Sequence, residues 1–215
     1  RQRSARQGSA IFKGQHVGTF GDVATFSFFG NKTITTGEGG MVVCRKKSVH
    51  DRVCHLKSQG VSKTQEYFHD ELAYNYRMTN ICAAIGLAQL ERAEAILSKK
   101  HQIAGWYKEF LQDQPISIHA EQNDNRHSYW MCSILLDSAE QRQPLRDYLK
   151  EQGVETRPLF PPAHTMPHCR ENQTFSIAEK LSAGGVNLPS YPALSKEHIQ
   201  YICELIKAFL QGKNN

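Results

Sequence analysis

The stretch F-S-F-F-G-N-K-T-I-T-T-G-E-G-G-M-V-V, residues 26–43, decides how the chain is interpreted. It joins two short apolar runs, at 23–29 and 41–44, through a polar loop that contains four glycines. Short apolar runs separated by such a loop predict a strand, a loop and a second strand. The segment 36–40 is expected to bend sharply, because its three glycines tolerate either sign of φ.

The loop contains one lysine, Lys32, which follows the first apolar run among hydroxyl side chains and glycines. Burial lowers the pKa of a lysine and frees the neutral amine that Schiff-base chemistry requires. Nearby backbone N–H groups and hydroxyls could bind a phosphate. The same spacing also fits a solvated lysine, so spacing alone leaves both alternatives open. A P-loop is excluded, since that motif needs glycine directly before the lysine, where this chain has Asn31.

Helical periodicity is strongest in two later segments. Apolar residues recur at helical spacing after Thr79, a predicted N-cap, and the pattern continues to Leu111. This is far longer than an average helix, so a break is expected near Ser98–Lys100, where we place a domain boundary. The last helix, with its apolar stripe over 199–210, is expected to begin after the N-cap Ser195.

Composition excludes several classes of protein. The 215 residues carry 26 Lys+Arg and 21 Asp+Glu, and three of the arginines lie in the first seven residues, so the remainder is nearly neutral and nucleic-acid binding is not expected. No apolar run approaches the roughly 18 residues of a membrane helix. The six scattered cysteines include no C-x-x-C pair, which disfavours a zinc ribbon and a redox dithiol, and they are typical of a reducing, cytoplasmic compartment. We interpret the segment 164–169 as a loop, and we predict no metal site.

The lysine-containing stretch resembles the cofactor-binding segment of the DegT/DnrJ/EryC1/StrS family of sugar aminotransferases, which use pyridoxal 5'-phosphate (PLP). It is closest to the branch that makes GDP-perosamine. The resemblance continues in Y-N-Y-R-M-T-N-I-C-A-A-I-G-L-A-Q-L-E at 74–91, in G-V-E-T-R-P at 153–158 and in N-L-P-S-Y-P at 187–192. It implies an α/β, aspartate-aminotransferase-like fold (PLP fold type I). Residues 1–98 would be the remaining part of the PLP-binding large domain, and residues 99–215 the small C-terminal α/β domain.

The resemblance also implies roles for individual residues. Lys32 corresponds to the lysine that forms the Schiff base with PLP and then shuttles a proton, and Ser27 to the serine that binds the cofactor phosphate. Asn75 corresponds to the residue that reaches the phosphate of the neighbouring subunit's PLP, which implies a homodimer. Arg77 is its companion in cofactor binding.

The implied reaction transfers an amino group from glutamate to C4 of a nucleotide-linked 4-keto-6-deoxy sugar, with GDP as the expected nucleotide. The product would feed O-antigen, lipopolysaccharide or related glycan biosynthesis. Neither nucleic acid nor a membrane is an expected partner. The alternative is a non-catalytic protein, either a remnant or an interaction module that has lost the N-terminal cofactor shell.

The first residues depart from the family pattern. Family members are much longer and carry an acidic Glu-Asp stretch shortly before the position of Gly14, whose carboxylate pairs with the pyridine nitrogen of PLP. Here residues 1–7 read R-Q-R-S-A-R-Q. We therefore expect an N-terminally truncated member that begins with a solvated tail. We also expect strands 23–29 and 41–44 to expose sheet edges, because their neighbours would be missing.

Overall fold

A computed structural model describes residues 2–4, 10–170 and 173–212. The strands in chain order are β1 (Gln2–Ser4), β2 (Ile11–Phe12), β3 (Gln15–His16), β4 (Val23–Ser27), β5 (Gly40–Cys44), β6 (Ile116–Ile118), β7 (Asn125–Arg126), β8 (Cys132–Leu136), β9 (Arg157–Pro158) and β10 (Gly185–Leu188). The helices are α1 (Lys47–Lys57), α2 (Asn80–Glu91), α3 (Ala93–Leu111), α4 (Arg142–Glu151), α5 (Ser176–Gly184) and α6 (Lys196–Gln211).

The chain forms two compact units. The first comprises residues 1–97 together with 122–128, and the second comprises residues 98–121 and 129–215. A single domain boundary near residue 98 does not account for residues 122–128, which belong to the first unit. They belong there because β7 pairs antiparallel with β2, within the small sheet β3-β2-β7.

The main sheet of the first unit has the order β1-β4-β5. Its centre is β4, which pairs parallel with β1 and antiparallel with β5. The strand–loop–strand prediction is confirmed. The expectation of a solvated N-terminal tail is wrong for residues 2–4, whose backbone pairs with 23–25. Strand β4 therefore has two neighbours, and β5 lies at the sheet edge with the side chains of Met41, Val42 and Val43 exposed.

The long helical segment breaks earlier than the sequence predicts. Helix α2 ends at Glu91, and α3 runs without interruption through 98–100, so the expected break there is wrong. The physical reason lies at Arg92, which has φ −103° and ψ 7° and donates its N–H to the carbonyls of Gln89 and Leu90. This turn ends α2, and the Arg92 carbonyl then accepts the first hydrogen bond of α3, from Ile96 N at 3.0 Å.

The second unit is a four-stranded antiparallel sheet, β6-β8-β10-β9, covered by helices. Strand β8 alternates between buried and half-buried residues, as a strand with one face on the core should. The predicted apolar stripe of α6 is confirmed, and its buried members are Ile199, Ile202, Cys203, Ile206 and Leu210. Ser195 caps this helix, since its side chain accepts from His198 N at 3.3 Å.

Gly185, the first residue of β10, is closely packed against neighbouring atoms of the second unit. A Cβ atom at this position would lie 2.5 Å from the Leu181 carbonyl oxygen and would overlap the Leu159 side chain. Because the backbone oxygen cannot move away freely, Gly185→Ala is expected to lower the free energy of unfolding by about 1–3 kcal/mol. Urea denaturation measures this value. Gly105→Ala is the matched control, since a Cβ at Gly105 meets no atom within 4 Å and alanine favours the helix. Equal stability of the two variants would contradict the close packing described at Gly185.

The described part of the chain contains neither a membrane-spanning helix nor a metal-binding cluster of side chains. None of its helices combines the length and the apolar character that crossing a bilayer requires. Its His, Cys, Asp and Glu side chains form no group of three that could hold a metal ion.

Candidate functional site

Lys32 lies at the tip of the β4–β5 hairpin. The ladder between the two strands ends with the pair Ser27 and Gly40, and Phe28 N–H then donates to the Gly39 carbonyl at 2.9 Å. The Phe28 carbonyl in turn accepts from Thr36 N at 2.9 Å. This bond closes a loop of residues 29–35, which we call the lysine loop, with Lys32 at its middle.

Hydroxyl groups and positive-φ glycines fix the base of the lysine loop. Thr35 Oγ1 donates to the Phe28 carbonyl at 3.1 Å and accepts from Gly37 N at 2.9 Å. Gly37 has φ 82° and Gly39 has φ 132°, which are conformations that favour glycine. The predicted sharp bend is confirmed, and it arises from these two residues.

Ser27 and Lys32 are brought together by this hairpin. Ser27 is half-buried as the last residue of β4, and its Oγ accepts from Phe29 N at 3.4 Å. Lys32 is half-buried at the middle of the loop that begins two residues later. A hydroxyl and an amine thus stand at the same end of the hairpin. Strand β1 runs parallel to β4, so β1 ends, at Ser4, on the side of the sheet where β4 also ends.

Asn75 and Arg77 come from a separate segment, between α1 and α2. The backbone on either side of Asn75 is held at the end of α1, because Tyr74 O accepts from Gln59 N at 3.0 Å and Tyr76 N donates to the Lys57 carbonyl at 2.9 Å. The side chains of Asn75 and Arg77 are exposed. The structure therefore leaves these two predicted site residues on a solvent-facing segment, while Ser27 and Lys32 share the hairpin.

Two contributors to this site were not identified from sequence. Thr36, which the sequence indicates only as part of a sharp bend, is 3% exposed and lies against Gly86 of α2. Gly86 did carry a signal, because an isolated glycine inside a helical pattern suggests close packing at that point. The hydroxyl contacts of Thr36 had no comparable signal.

Comparison with known proteins identifies the family of the chain. The sequence model of the DegT/DnrJ/EryC1/StrS aminotransferase family matches residues 4–207. The chain belongs to this family. GDP-perosamine synthase of Escherichia coli O157:H7 is 54% identical over 203 residues, which are 94% of this chain and 56% of that relative. The chain thus spans about half the length of this DegT/DnrJ/EryC1/StrS relative.

Solved structures of similar fold agree with the family assignment. The aminotransferase TlmJ from Streptoalloteichus hindustanus superposes with a TM-score of 0.90 at 24% identity, over 96% of this chain and 57% of that one. Spr1654 from Streptococcus pneumoniae, solved in PLP and PMP forms, superposes with a TM-score of 0.86 at 23% identity, over 98% and 57%. At such identities these likenesses show the fold alone, and they confirm the aspartate-aminotransferase-like α/β class.

Proposed function

We propose that this chain holds PLP and takes part in a GDP-perosamine synthase-like reaction, in which an amino group passes from glutamate to C4 of a GDP-linked 4-keto-6-deoxy sugar. The product would enter O-antigen or related glycan biosynthesis in the cytoplasm. One observation carries the proposal: Lys32 stands at the middle of a hydrogen-bonded loop at the same end of the hairpin as Ser27, in a chain 54% identical to a GDP-perosamine synthase. The six free cysteines support the proposed compartment.

The donor set of the hairpin fits two groups of the cofactor. A primary amine is the partner that the carbonyl carbon of PLP requires, and Lys32 supplies it. The cofactor phosphate needs hydrogen-bond donors, and the Ser27 hydroxyl is one such donor at the end of β4. When bound, PLP supplies an electron sink for the amino-transfer chemistry.

Lys32 would act in two ways. Its Nζ would hold the cofactor covalently, and the same nitrogen, once released, would accept and return a proton beside the reacting carbon. Ser27 would orient the phosphate, so that the cofactor presents a fixed face to Lys32. Because the lysine loop is closed at Phe28 and Thr36, the backbone from which the Lys32 side chain extends is held in place.

By the resemblance, an acidic residue shortly before the position of Gly14 would pair with the pyridine nitrogen of PLP. Residues 1–9 contain three arginines and no acidic residue. A nearby carboxylate favours a protonated ring, whereas arginine opposes it. We therefore expect the chain to attach PLP through Lys32 more readily than it catalyses amino transfer.

Covalent attachment of PLP tests the proposal directly. The purified chain is mixed with PLP, reduced with borohydride and digested, and the modified lysines are identified by mass spectrometry. We expect the peptide that contains Lys32 to carry the pyridoxyl group at PLP concentrations that leave other lysines unmodified. Uniform, weak modification of all lysines would favour the non-catalytic alternative.

The nucleotide is tested separately. Paired assays compare GDP-linked and UDP-linked 4-keto-6-deoxy sugars as acceptors, with glutamate as donor and the amino sugar measured as product. We expect the GDP-linked acceptor to be favoured. A preference for the UDP-linked sugar would contradict the proposed substrate without affecting the proposed attachment of PLP.

The surface of α2 supports a homodimer. This helix is apolar, yet none of its residues is buried, and Ile81, Leu87 and Leu90 are 76%, 60% and 63% exposed. Exposed apolar surface of this kind is typical of a protein interface. In a homodimer that uses this face, the exposed Asn75 could serve the partner's cofactor, as the resemblance implies.

We expect Leu87→Asp to convert the dimer to a monomer, because a charge would then have to be buried in an apolar interface. Sedimentation equilibrium measures the association. Gln112→Asp, which adds the same charge at an exposed position in the second unit, is the control and should leave association unchanged. A monomeric wild-type chain, or a Leu87→Asp dimer of unchanged affinity, would contradict this assignment.

A further inference from the structure

The side chain of Thr36 occupies an unusually confined place behind the lysine loop. It is 3% exposed and lies between two glycines from different parts of the first unit. A Cβ atom on Gly86 of α2 would lie 2.8 Å from Thr36 Cγ2, and a Cβ on Gly39 would lie 2.9 Å from Thr36 Oγ1. The methyl and the hydroxyl of Thr36 therefore each require a neighbour without a side chain.

The polar atoms of Thr36 form hydrogen bonds to residues on both sides of it in the hairpin. Its hydroxyl donates to the Glu38 carbonyl at 2.5 Å and lies 3.4 Å from the Phe28 carbonyl oxygen. Its backbone N–H donates to that same Phe28 carbonyl at 2.9 Å. Thr36 is thus the residue at which the lysine loop closes, and it is also the residue whose methyl group contacts α2.

We infer that Thr36 is a positioning residue for Lys32, which it places by locking the lysine loop against Gly86 of α2. Lys32 lies four residues before this lock and its own N–H donates to the Phe29 carbonyl at 2.9 Å, so a shift of Thr36 moves the whole closed loop. The side chain of Met78 packs at the same bend, since its Cε would lie 3.0 Å from a Cβ on Gly39. The inference rests on the proposed function of Lys32 as the residue that binds PLP.

The contact between Thr36 and Gly86 predicts how substitutions at these two positions combine. Gly86→Ala adds a methyl group that overlaps Thr36 Cγ2, so the loop must shift. Thr36→Ser removes Cγ2 but keeps the hydroxyl, so this substitution should restore the loop in the double variant. Thr36→Val keeps the methyl volume but removes the hydroxyl, so it should release the bond to Glu38.

The readout is the modification of Lys32 relative to exposed Lys57 in the same sample, measured by mass spectrometry after PLP and borohydride. We expect Gly86→Ala and Thr36→Val to lower this ratio by roughly tenfold or more, because small misplacements of a reacting atom are costly. Thr36→Ser alone should match the wild type, and Gly86→Ala with Thr36→Ser should return to the wild-type ratio. Circular dichroism and thermal unfolding show which variants fold.

A second reagent separates this inference from the proposed function. Acetic anhydride modifies lysines without recognising a cofactor, and the same four variants are compared with it. If the modification of Lys32 relative to Lys57 by acetic anhydride depends on Thr36 and Gly86 while PLP shows no selectivity for Lys32, that result supports the lock and contradicts the cofactor role. An unchanged ratio in Gly86→Ala, or failure of Thr36→Ser to restore it, would overturn the lock. Should Gly86→Ala not fold, equal ratios for folded Thr36→Val and Thr36→Ser would overturn it as well.

Discussion

Lys32→Ala is expected to abolish covalent attachment of PLP to this chain under conditions in which the wild type is modified at that residue. Attachment needs a primary amine at the tip of the β4–β5 hairpin, and Lys32 is the residue that the closed loop of residues 29–35 presents there. Alanine removes the amine and leaves the hydrogen bonds of Phe28, Phe29 and Thr36 in place, since these use backbone atoms of the loop and the Thr36 side chain.

Lys32→Arg sharpens this test. Arginine keeps the positive charge and much of the length, but its guanidinium stays protonated and does not form the bond. We expect Lys32→Arg to lose attachment as fully as Lys32→Ala while it retains weak, reversible affinity for the cofactor phosphate. Equilibrium dialysis measures that residual binding.

Lys57→Ala is the matched control for both variants. Lys57 is exposed at the end of α1 in the same unit, and its removal should leave attachment unchanged. Persistent modification of the Lys32→Ala chain at another lysine, with the same affinity for PLP, would show that Lys32 is not the attachment point.

The residues of the hairpin were accessible from sequence because their signals are local. The apolar runs, the glycines at 37 and 39 and the lysine all lie within one short stretch, where strand propensity and turn chemistry act. The N-cap role of Thr79 was equally local and is confirmed, since its Oγ1 accepts from Cys82 N at 3.3 Å. The lock between Thr36 and Gly86 joins residues fifty positions apart, and only the folded chain reveals their distance.

Strand lengths in the second unit were less predictable. The run over 128–136 predicts a nine-residue strand, whereas the strand in the structure is Cys132–Leu136. One reason is Tyr129, whose φ of 44° is incompatible with a strand. A second reason is that the partner β10 spans four residues, so the ladder ends with it. Pairing depends on the partner, which a single sequence does not show.

An apolar segment favours burial of its cysteine, but it does not decide that burial. Cys132 and Cys203 are buried, as their apolar surroundings indicate, and burial raises the pKa of their thiols to about 11 and about 12. Cys44 and Cys82 lie in equally apolar segments but are half-buried. Both belong to the elements β5 and α2, whose apolar faces are exposed in this chain. The apolar pattern is the same, and the difference lies in whether another element covers it.

Lys100 is the second residue for which a large effect is expected. It is 5% exposed, and its Nζ donates to the Trp130 carbonyl at 2.9 Å, to the Ser190 carbonyl at 2.6 Å and to Ser190 Oγ at 3.0 Å. These partners are neutral oxygens rather than a carboxylate. Burial therefore lowers the pKa of Lys100 from 10.5 to about 8.

The sign of the resulting pH dependence follows from proton counts. Below pH 8 both the folded and the unfolded chain carry the proton, and the full cost of burying the charge is present. Between about pH 8 and 10.5 the folded chain has released the proton that the unfolded chain still holds, so stability rises with pH. The shift from 10.5 to about 8 corresponds to a gain of about 3 kcal/mol across that window.

Lys100→Met removes this titration. We expect the free energy of unfolding of the wild type, minus that of Lys100→Met, to rise by about 3 kcal/mol as the pH increases from 7.5 to 10.5. Urea denaturation at each pH measures both values. Cys132 titrates nearby in the opposite sense, because its raised pKa makes stability fall above pH 9, but it is present in both chains and largely cancels in the difference.

Lys108→Met is the control for Lys100→Met, since it makes the same exchange at an exposed position of the same helix and keeps Lys100, so this variant should retain the pH dependence that Lys100 gives the wild type. A difference between the wild type and Lys100→Met that stays constant with pH would mean that Lys100 stays charged in the folded chain. The oxygens of Trp130 and Ser190 would then solvate the ammonium about as well as water does, and the hydrogen bonds rather than burial would set the protonation of this lysine.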